Sequence, residues 1–336
     1  MPKTTLPKQL RKVADKDLLA KLESGLELVE KQLIEAVKHT DPIAKVTTRH
    51  LIDAGGKRIR PTLVLLCAQL GDGTANEVIQ SAVVVELTHI GTLYHDDVMD
   101  SAPKRRGVDS AHEIWGNNVA ILTGDLLFAR ASQLVSKLGQ KALTLQADTF
   151  ERLCLGQLNE TVGPAEGQDP IEHYLSVLAD KTGSLISASA ELGVLFSGAD
   201  ESLREPVRKY GEAIGVAFQL IDDVIDIHSD GQVSGKTPGT DLRAGVQTLP
   251  VLYLRQDAKS DGESAKLIEI IDAGLDDDVQ LTKVIEQLRE HPATERAFQE
   301  AKRWADQAIA ALADLPAGPV REALTNFADA VIERQN

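Results

Sequence analysis

Residues 76–100 read NEVIQSAVVVELTHIGTLYHDDVMD, and this stretch decides the class of the fold. Val83-Val84-Val85 is the best strand candidate in the chain, because β-branched residues favour extended backbone. It lies, however, inside a long segment of helical period, with no turn signals beside it, and so reads as buried helix. The helix ends on Asp96-Asp97-Val98-Met99-Asp100. On a helix, positions i and i+4 lie one above the other and i+1 is about 100° around, so three carboxylates crowd one sector. Like charges at that spacing repel unless something positive sits among them. Both flanks are apolar, with Ile90 and Leu93 before and Val98 and Met99 within.

Working outward, the same period recurs almost everywhere. Leu18, Leu22, Leu26, Val29, Leu33 and Val37 step by threes and fours, and similar patterns run through 62–70, 117–138, 141–161, 171–196, 203–229, 264–273, 279–290, 294–314 and 318–333. Breaks are expected at Gly55-Gly56, Gly71-Asp72-Gly73, Gly163-Pro164, 167–170 and Gly198-Ala199-Asp200. The stretch from Asp230 to Gly245, with Gly231, Gly235, Pro238 and Gly239, is the one long irregular segment, and long loops in compact domains usually carry function. The simplest reading is one all-α domain over residues 1–336, a bundle of roughly a dozen helices.

Composition narrows the chemistry. With 51 acidic and 36 basic residues the net charge is −15, which argues against a nucleic-acid partner and against docking on an anionic membrane. Neither a signal peptide nor a run of ~18 apolar residues is present, so a cytoplasmic protein that is not integral to a membrane is expected. Cys67 and Cys154 stand alone in apolar surroundings and read as two buried thiols.

The carboxylate device recurs at Asp222-Asp223-Val224-Ile225-Asp226, again among apolar residues. Hard oxygen ligands on rigid helices suit Mg²⁺, which takes one or two carboxylates and completes its shell with water and phosphate. Phosphate in turn needs cations, and two clusters supply them. Gly55-Gly56-Lys57-Arg58-Ile59-Arg60-Pro61 sets a glycine pair before three cations, with Pro61 suited to the first turn of the next helix. Lys104-Arg105-Arg106-Gly107 follows Asp100 closely. His89 precedes Asp96 by two helical turns on the same face, a spacing that suits either a phosphate contact or an ordinary core or surface histidine. No Walker loop or dinucleotide fingerprint is present.

These residues also match a family pattern. GGKRIRP, ELTHIGTLYHDDVMDSAPKRRG, ILTGDLLFA, GQLNE, DKTGSL, FQLIDDVID and GKTPGTDLRAGVQTLP occur in the order found in trans-isoprenyl diphosphate synthases, the polyprenyl synthetase family, across about 45–255; helices alone are expected over 260–334. The resemblance implies the isoprenoid synthase fold, a bundle around a central cavity, generally a homodimer, with the two Asp motifs facing each other. It implies that Asp96, Asp97, Asp100, Asp222 and Asp223, completed by Asp226, hold about three Mg²⁺ ions bridged by an allylic diphosphate. It assigns Arg105, Lys181 and Lys236 to that diphosphate, and Lys57, Arg60, His89 and Arg106 to isopentenyl diphosphate. The Lys181 carbonyl, Thr182 and Gln219 resemble the groups that stabilise the allylic cation.

Product length is read from the helix below Asp96. One turn rises about 5.4 Å, roughly one extended isoprene unit. Thr92, with Gly91 beside it and Thr88 a turn further, stands where short-chain members carry aromatics, and nothing from Ser81 to Leu93 is aromatic. An open wall implies a product of about C30 to C45, of the kind used as quinone side chains. A C20 product is the alternative, should Phe128, Phe150, Tyr174 or Phe196 close the tunnel. A class I terpene cyclase would not need the GGKRIRP and Arg105-Arg106 clusters, and a non-catalytic partner subunit would lack one Asp motif.

Overall fold

A computed structural model describes residues 15–228 and 238–333. Among them the longer helices are α1 (Lys16–Ala36), α2 (Ile59–Ala68), α3 (Asn76–Met99), α4 (Asn117–Val135), α5 (Gln140–Val162), α6 (Pro170–Leu178), α7 (Ser184–Phe196), α8 (Arg204–His228), α9 (Leu249–Asp257), α10 (Gly262–Asp272), α11 (Asp278–Glu290), α12 (Pro292–Ala311) and α13 (Pro319–Ile332). The all-α reading therefore holds. Many of the acidic residues have a local task at helix starts: Asp15, Asp41, Asp169, Asp261 and Asp277 each accept a hydrogen bond from a backbone N–H of the first turn, where a negative charge also suits the helix dipole.

The chain forms two compact units. One takes Met1–Glu151, Leu185–Gly211 and Leu312–Asn326; the other takes Arg152–Ser184, Glu212–Ala311 and Phe327–Asn336. In the first, α3 packs against α1, α2 and α4. Val83, Val84 and Val85 are all buried within it, together with Val78, Ile79, Ala82, Leu87 and Ile90. A helix apolar on every side is what complete burial selects. The strand-like triplet is thus explained by its surroundings rather than by extended backbone.

In the second unit, Ile227, Val251, Leu254, Leu267, Leu281, Val284 and Leu288 share one core. Arg289 donates from Nε to the Ile227 carbonyl at 2.7 Å, so α11 anchors the end of α8 that carries the second Asp motif. The late helices, which held no motif in the sequence, thereby acquire a supporting role.

The structure differs from expectation in several places. A two-stranded hairpin pairs β1 (Lys104–Arg105) with β2 (Val108–Asp109), too short to leave an alternating pattern. Within the stretch expected to be irregular, Thr240–Arg243 form a helical turn, and α9 begins at Leu249 with Pro250 in its first turn. Helical turns at Pro42–Thr47, His50–Asp53 and Ala111–Trp115 are likewise too short for periodicity to reveal. Cys67 is buried as expected, but Cys154 is exposed on α5; neither is in a disulfide.

Candidate active site

The first Asp motif occupies the C-terminal turn of α3, with Asp100 as its C-cap. That end of a helix carries partial negative charge, so a carboxylate cluster there is opposed by the dipole as well as by itself. Asp96 is half-buried, Asp97 is 1% exposed and Asp100 is exposed. Arg105 reaches back from β1 and donates from Nε to Asp97 Oδ1 at 2.6 Å. Asp97 Oδ2 is buried with no hydrogen-bond partner. The helix ends in a reverse turn: Ala102 N–H donates to the Asp97 carbonyl and Ser101 N–H to the Val98 carbonyl, with Ser101 at φ 49°.

The GGKRIRP segment enters α2 with the opposite problem. Arg58 is its N-cap and Arg60 and Pro61 lie in the first turn, so cations sit at the positive helix end. Their surroundings separate them sharply. Arg58 is buried: Nε donates to Glu30 at 2.5 Å and Nη1 to Glu86 at 2.7 Å, with the carbonyls of Gly55 and Ile52 taking further bonds. It is a structural clamp, which agrees with its absence from the residues that the resemblance assigns to a diphosphate. Arg60 has no such partner set: burial, and after it the charge of Arg106, lowers its guanidinium to about 10, against the pull of Glu86 and Asp96, and its Nε is unpartnered. Lys57 stands exposed beside it.

Arg106 joins the same cluster from the hairpin turn. It donates to the Leu51 carbonyl at 2.8 Å and to Glu86 at 3.4 Å, and burial holds its guanidinium below the usual range. The turn needs positive φ at both central residues, which Gly107 adopts readily and Arg106, at φ 53°, does not. Arg58, Ser101 and Arg106 are the non-glycine residues at positive φ among the described residues, and all three border this site. Strain of that kind persists only where surrounding contacts over-determine it. His89 faces the cluster from α3; burial first, then Arg60, Arg106, Arg58 and Arg105, push its pKa well below 6.5, so its imidazole is neutral at neutral pH.

The second motif lies in the last turns of α8, again at a negative helix end. Asp223 is buried and accepts the Tyr174 hydroxyl at 2.7 Å. Burial raises its carboxyl well above the ordinary range, with Asp241 and Asp222 adding to the rise and the Tyr174 bond opposing it. Sequence reading offered Tyr174 only as a tunnel wall; its contact with Asp223, distant in sequence, had no local signal. Asp226 accepts from the N–H groups of Thr240 and Asp241, at 3.2 and 3.1 Å, and so caps the turn Thr240–Arg243. Asp222 and Gln219 are half-buried on α8. Lys181 and Thr182 sit in a π-helical turn, Ala179–Gly183, between α6 and α7, and Lys181 pairs with Glu160 at 2.5 Å. Lys236 lies outside the described residues.

Below Asp96, Thr92 is half-buried and donates to the His89 carbonyl, while Thr88 is buried and accepts from Gln146 Nε2 at 2.8 Å. Gly91 is covered: a Cβ there would lie 2.9 Å from the Phe128 ring. Phe128 in turn packs against Phe150, tilted, at 4.6 Å and edge-on against His95 at 5.4 Å between centroids. The aromatic missing from Ser81 to Leu93 is thus supplied to Gly91 by Phe128 of α4.

Both carboxylate sets are hard-oxygen donors on rigid helix ends. Among the described residues no three His, Cys, Asp or Glu side chains form a closed metal cage. Mg²⁺ suits such a set, because it needs few carboxylates and takes phosphate and water for the rest. The unpartnered Asp97 Oδ2 and the raised Asp223 carboxyl are two places where a divalent cation would relieve a cost.

The family model for polyprenyl synthetase matches residues 41–288. This chain belongs to the polyprenyl synthetase family. A nonaprenyl diphosphate synthase of Mycobacterium tuberculosis is 43% identical over 96% of each chain. Among solved structures, a geranylgeranyl pyrophosphate synthase from Corynebacterium glutamicum, complexed with calcium and isoprenyl diphosphate, matches with TM-score 0.86 at 41% identity, covering 96% of this chain and 98% of that one. A decaprenyl diphosphate synthase from Rhodobacter capsulatus matches with TM-score 0.85 at 32% identity, covering 95% and 99%. The polyprenyl synthetase match runs through both compact units and both Asp motifs.

Proposed function

We propose that this polyprenyl synthetase extends an allylic diphosphate primer head to tail with isopentenyl diphosphate, giving an all-trans product of about C30 to C45 that serves as a quinone side chain. The observation that carries the reading is the placement of charge on two packed helices. Carboxylates crowd the negative end of α3 and cations crowd the positive end of α2, each against its helix dipole, and Arg60 among those cations keeps a buried Nε without a hydrogen-bond partner. Such a pattern is stabilised by ligands: divalent cations for one set, an anion for the other.

Asp96, Asp97, Asp100, Asp222, Asp223 and Asp226 are the residues that would hold Mg²⁺. Bound there, Mg²⁺ supplies charge neutralisation for the departing diphosphate. Arg105, Lys181 and Lys236 bind the allylic diphosphate and stabilise its negative charge as the C–O bond breaks. Lys57, Arg60 and Arg106 fix the diphosphate of isopentenyl diphosphate, and neutral His89 donates a hydrogen bond to it. The Lys181 carbonyl, Thr182 and Gln219 aim oxygen dipoles at the allylic cation, which the isopentenyl double bond attacks within reach. The proton then lost goes to the released diphosphate.

Long-chain length is supported by Thr92 and Thr88, which leave that side of α3 without a bulky floor, and by the nonaprenyl and decaprenyl relatives. Phe128 over Gly91 favours the second reading, a C20 product. A cytoplasmic homodimer of single-domain protomers completes the proposal. Its support is the exposed apolar face of α4, with Ile121, Leu122 and Leu126, and that of α5, with Leu155, Leu158 and Val162; such patches mark interfaces.

The test is incubation with labelled isopentenyl diphosphate, Mg²⁺ and C5, C10, C15 or C20 primers, with products sized by chromatography. Elongation to six or more isoprene units is expected; no elongation from any primer overturns the reading. Sedimentation of the purified chain tests the dimer.

A further inference from the structure

The π-helical turn Ala179–Gly183 carries one residue more than an α-turn would hold. In it, Ser184 N–H reaches back to the Ala179 carbonyl, and the Asp180 carbonyl accepts from Ser184 Oγ at 2.5 Å. An irregular turn of this kind keeps its shape only if its neighbours hold it, and α5 does so twice. Gly156 lets the backbones meet: a Cβ there would lie 2.8 Å from Lys181 N and 3.0 Å from Asp180 Cβ. One turn earlier, Arg152 donates from Nε to Asp180 Oδ1 at 2.8 Å and from Nη2 to Glu212 Oε1 at 3.0 Å, with the Ala179 carbonyl 3.4 Å from Nη2.

A single guanidinium therefore joins the π-turn to α8. Glu212 precedes Gln219 by two turns on the same helical face. The three groups assigned to the allylic cation, the Lys181 carbonyl, Thr182 and Gln219, stand on the two elements that Arg152 ties together.

We infer that Arg152 is a positioning residue: with Asp180 and Glu212 it locks the π-turn to α8 and fixes the spacing between Thr182 and Gln219. This rests on the proposed role of those two residues. A planar fork is needed for two simultaneous bonds, and lysine does not replace it.

The experiment compares Arg152→Met and Arg152→Lys with the wild type in the elongation assay. Both variants are expected to lose 10- to 100-fold in kcat, roughly the cost of a 1 Å misplacement. KM for isopentenyl diphosphate should stay within about twofold, since the residues assigned to it stand on other elements than the π-turn and α8. Guanidinium ion added to Arg152→Ala should restore part of kcat, which a merely structural role would not produce. Arg255→Met, which breaks the Arg255–Asp272 pair elsewhere in the same unit, is the control and should leave kcat unchanged. Should the Arg152 variants fail to fold, Asp180→Asn and Glu212→Gln, of unchanged size, take their place with the same expected loss. Unchanged kcat in the folded variants overturns the inference, as does a loss that appears in KM for isopentenyl diphosphate instead. Thr182→Val with Gln219→Leu separates the two claims. If that pair leaves kcat intact, the cation assignment fails; if it lowers kcat while Arg152→Met does not, only the strut fails.

Discussion

Replacing Arg58 with methionine removes a cation whose side chain is fully buried between Glu86, itself 2% exposed, and Glu30, 21% exposed. Methionine fills part of the space but leaves a buried carboxylate without its main partner. Breaking a buried pair in this way costs about 3–5 kcal/mol. For 336 residues the unfolding entropy is about 0.7 kcal/mol per degree, so Tm should fall by roughly 4–7 °C. Arg60→Met, two residues on, should behave oppositely. Its guanidinium is already disfavoured by burial, lowered to about 10, and its Nε has no partner to lose. Tm should not fall, while KM for isopentenyl diphosphate should rise roughly 10- to 100-fold, the worth of a hydrogen bond to a charged group. Differential scanning calorimetry and steady-state kinetics on the two variants decide the matter. Equal Tm for Arg58→Met and wild type, or a fall in Tm for Arg60→Met without a change in KM, would refute the division of this motif into clamp and ligand.

Three further outcomes are expected. Thr92→Phe should shorten the main product by at least about one isoprene unit, one helical turn of channel, and Phe128→Ala should lengthen it; unchanged distributions in product sizing would remove α3 and its aromatic cover from the channel wall. His89 is held neutral, so below pH 6.5 the unfolded chain binds a proton that the folded chain does not, and stability falls as pH drops; above 6.5 the group contributes no slope. His89→Gln should therefore remove up to about 1.4 kcal/mol per pH unit of that acid slope in urea unfolding between pH 6.5 and 5, and an unaltered slope would place the effect elsewhere. Tyr174→Phe deletes the hydroxyl that orients Asp223 and should raise the Mg²⁺ half-saturation about tenfold or more; an unchanged metal titration would show that Asp223 needs no such support.

Much of this protein is local and therefore legible in its residues alone. The period of three and four residues gives α1, α3, α4, α5 and α8, and the glycine and proline breaks mark the start of α3 and the end of α5. The two Asp motifs and the basic clusters are contiguous, so their chemistry can be read without coordinates. The family pattern assigned Arg60 and not Arg58 to a substrate, but only tertiary structure gives the physical reason, because Glu30 and Glu86 approach Arg58 from α1 and α3. It alone could bring Tyr174 to Asp223, Phe128 to Gly91 and Arg152 to Asp180, since these contacts join helices far apart in the chain. The hairpin that aims Arg106 is too short to leave a period, and the π-turn at Lys181 differs from an α-turn by one residue. A side chain's identity states which bonds it can make, while its packing decides which of them are already made. That difference separates the residues that hold this fold from those free to hold a substrate.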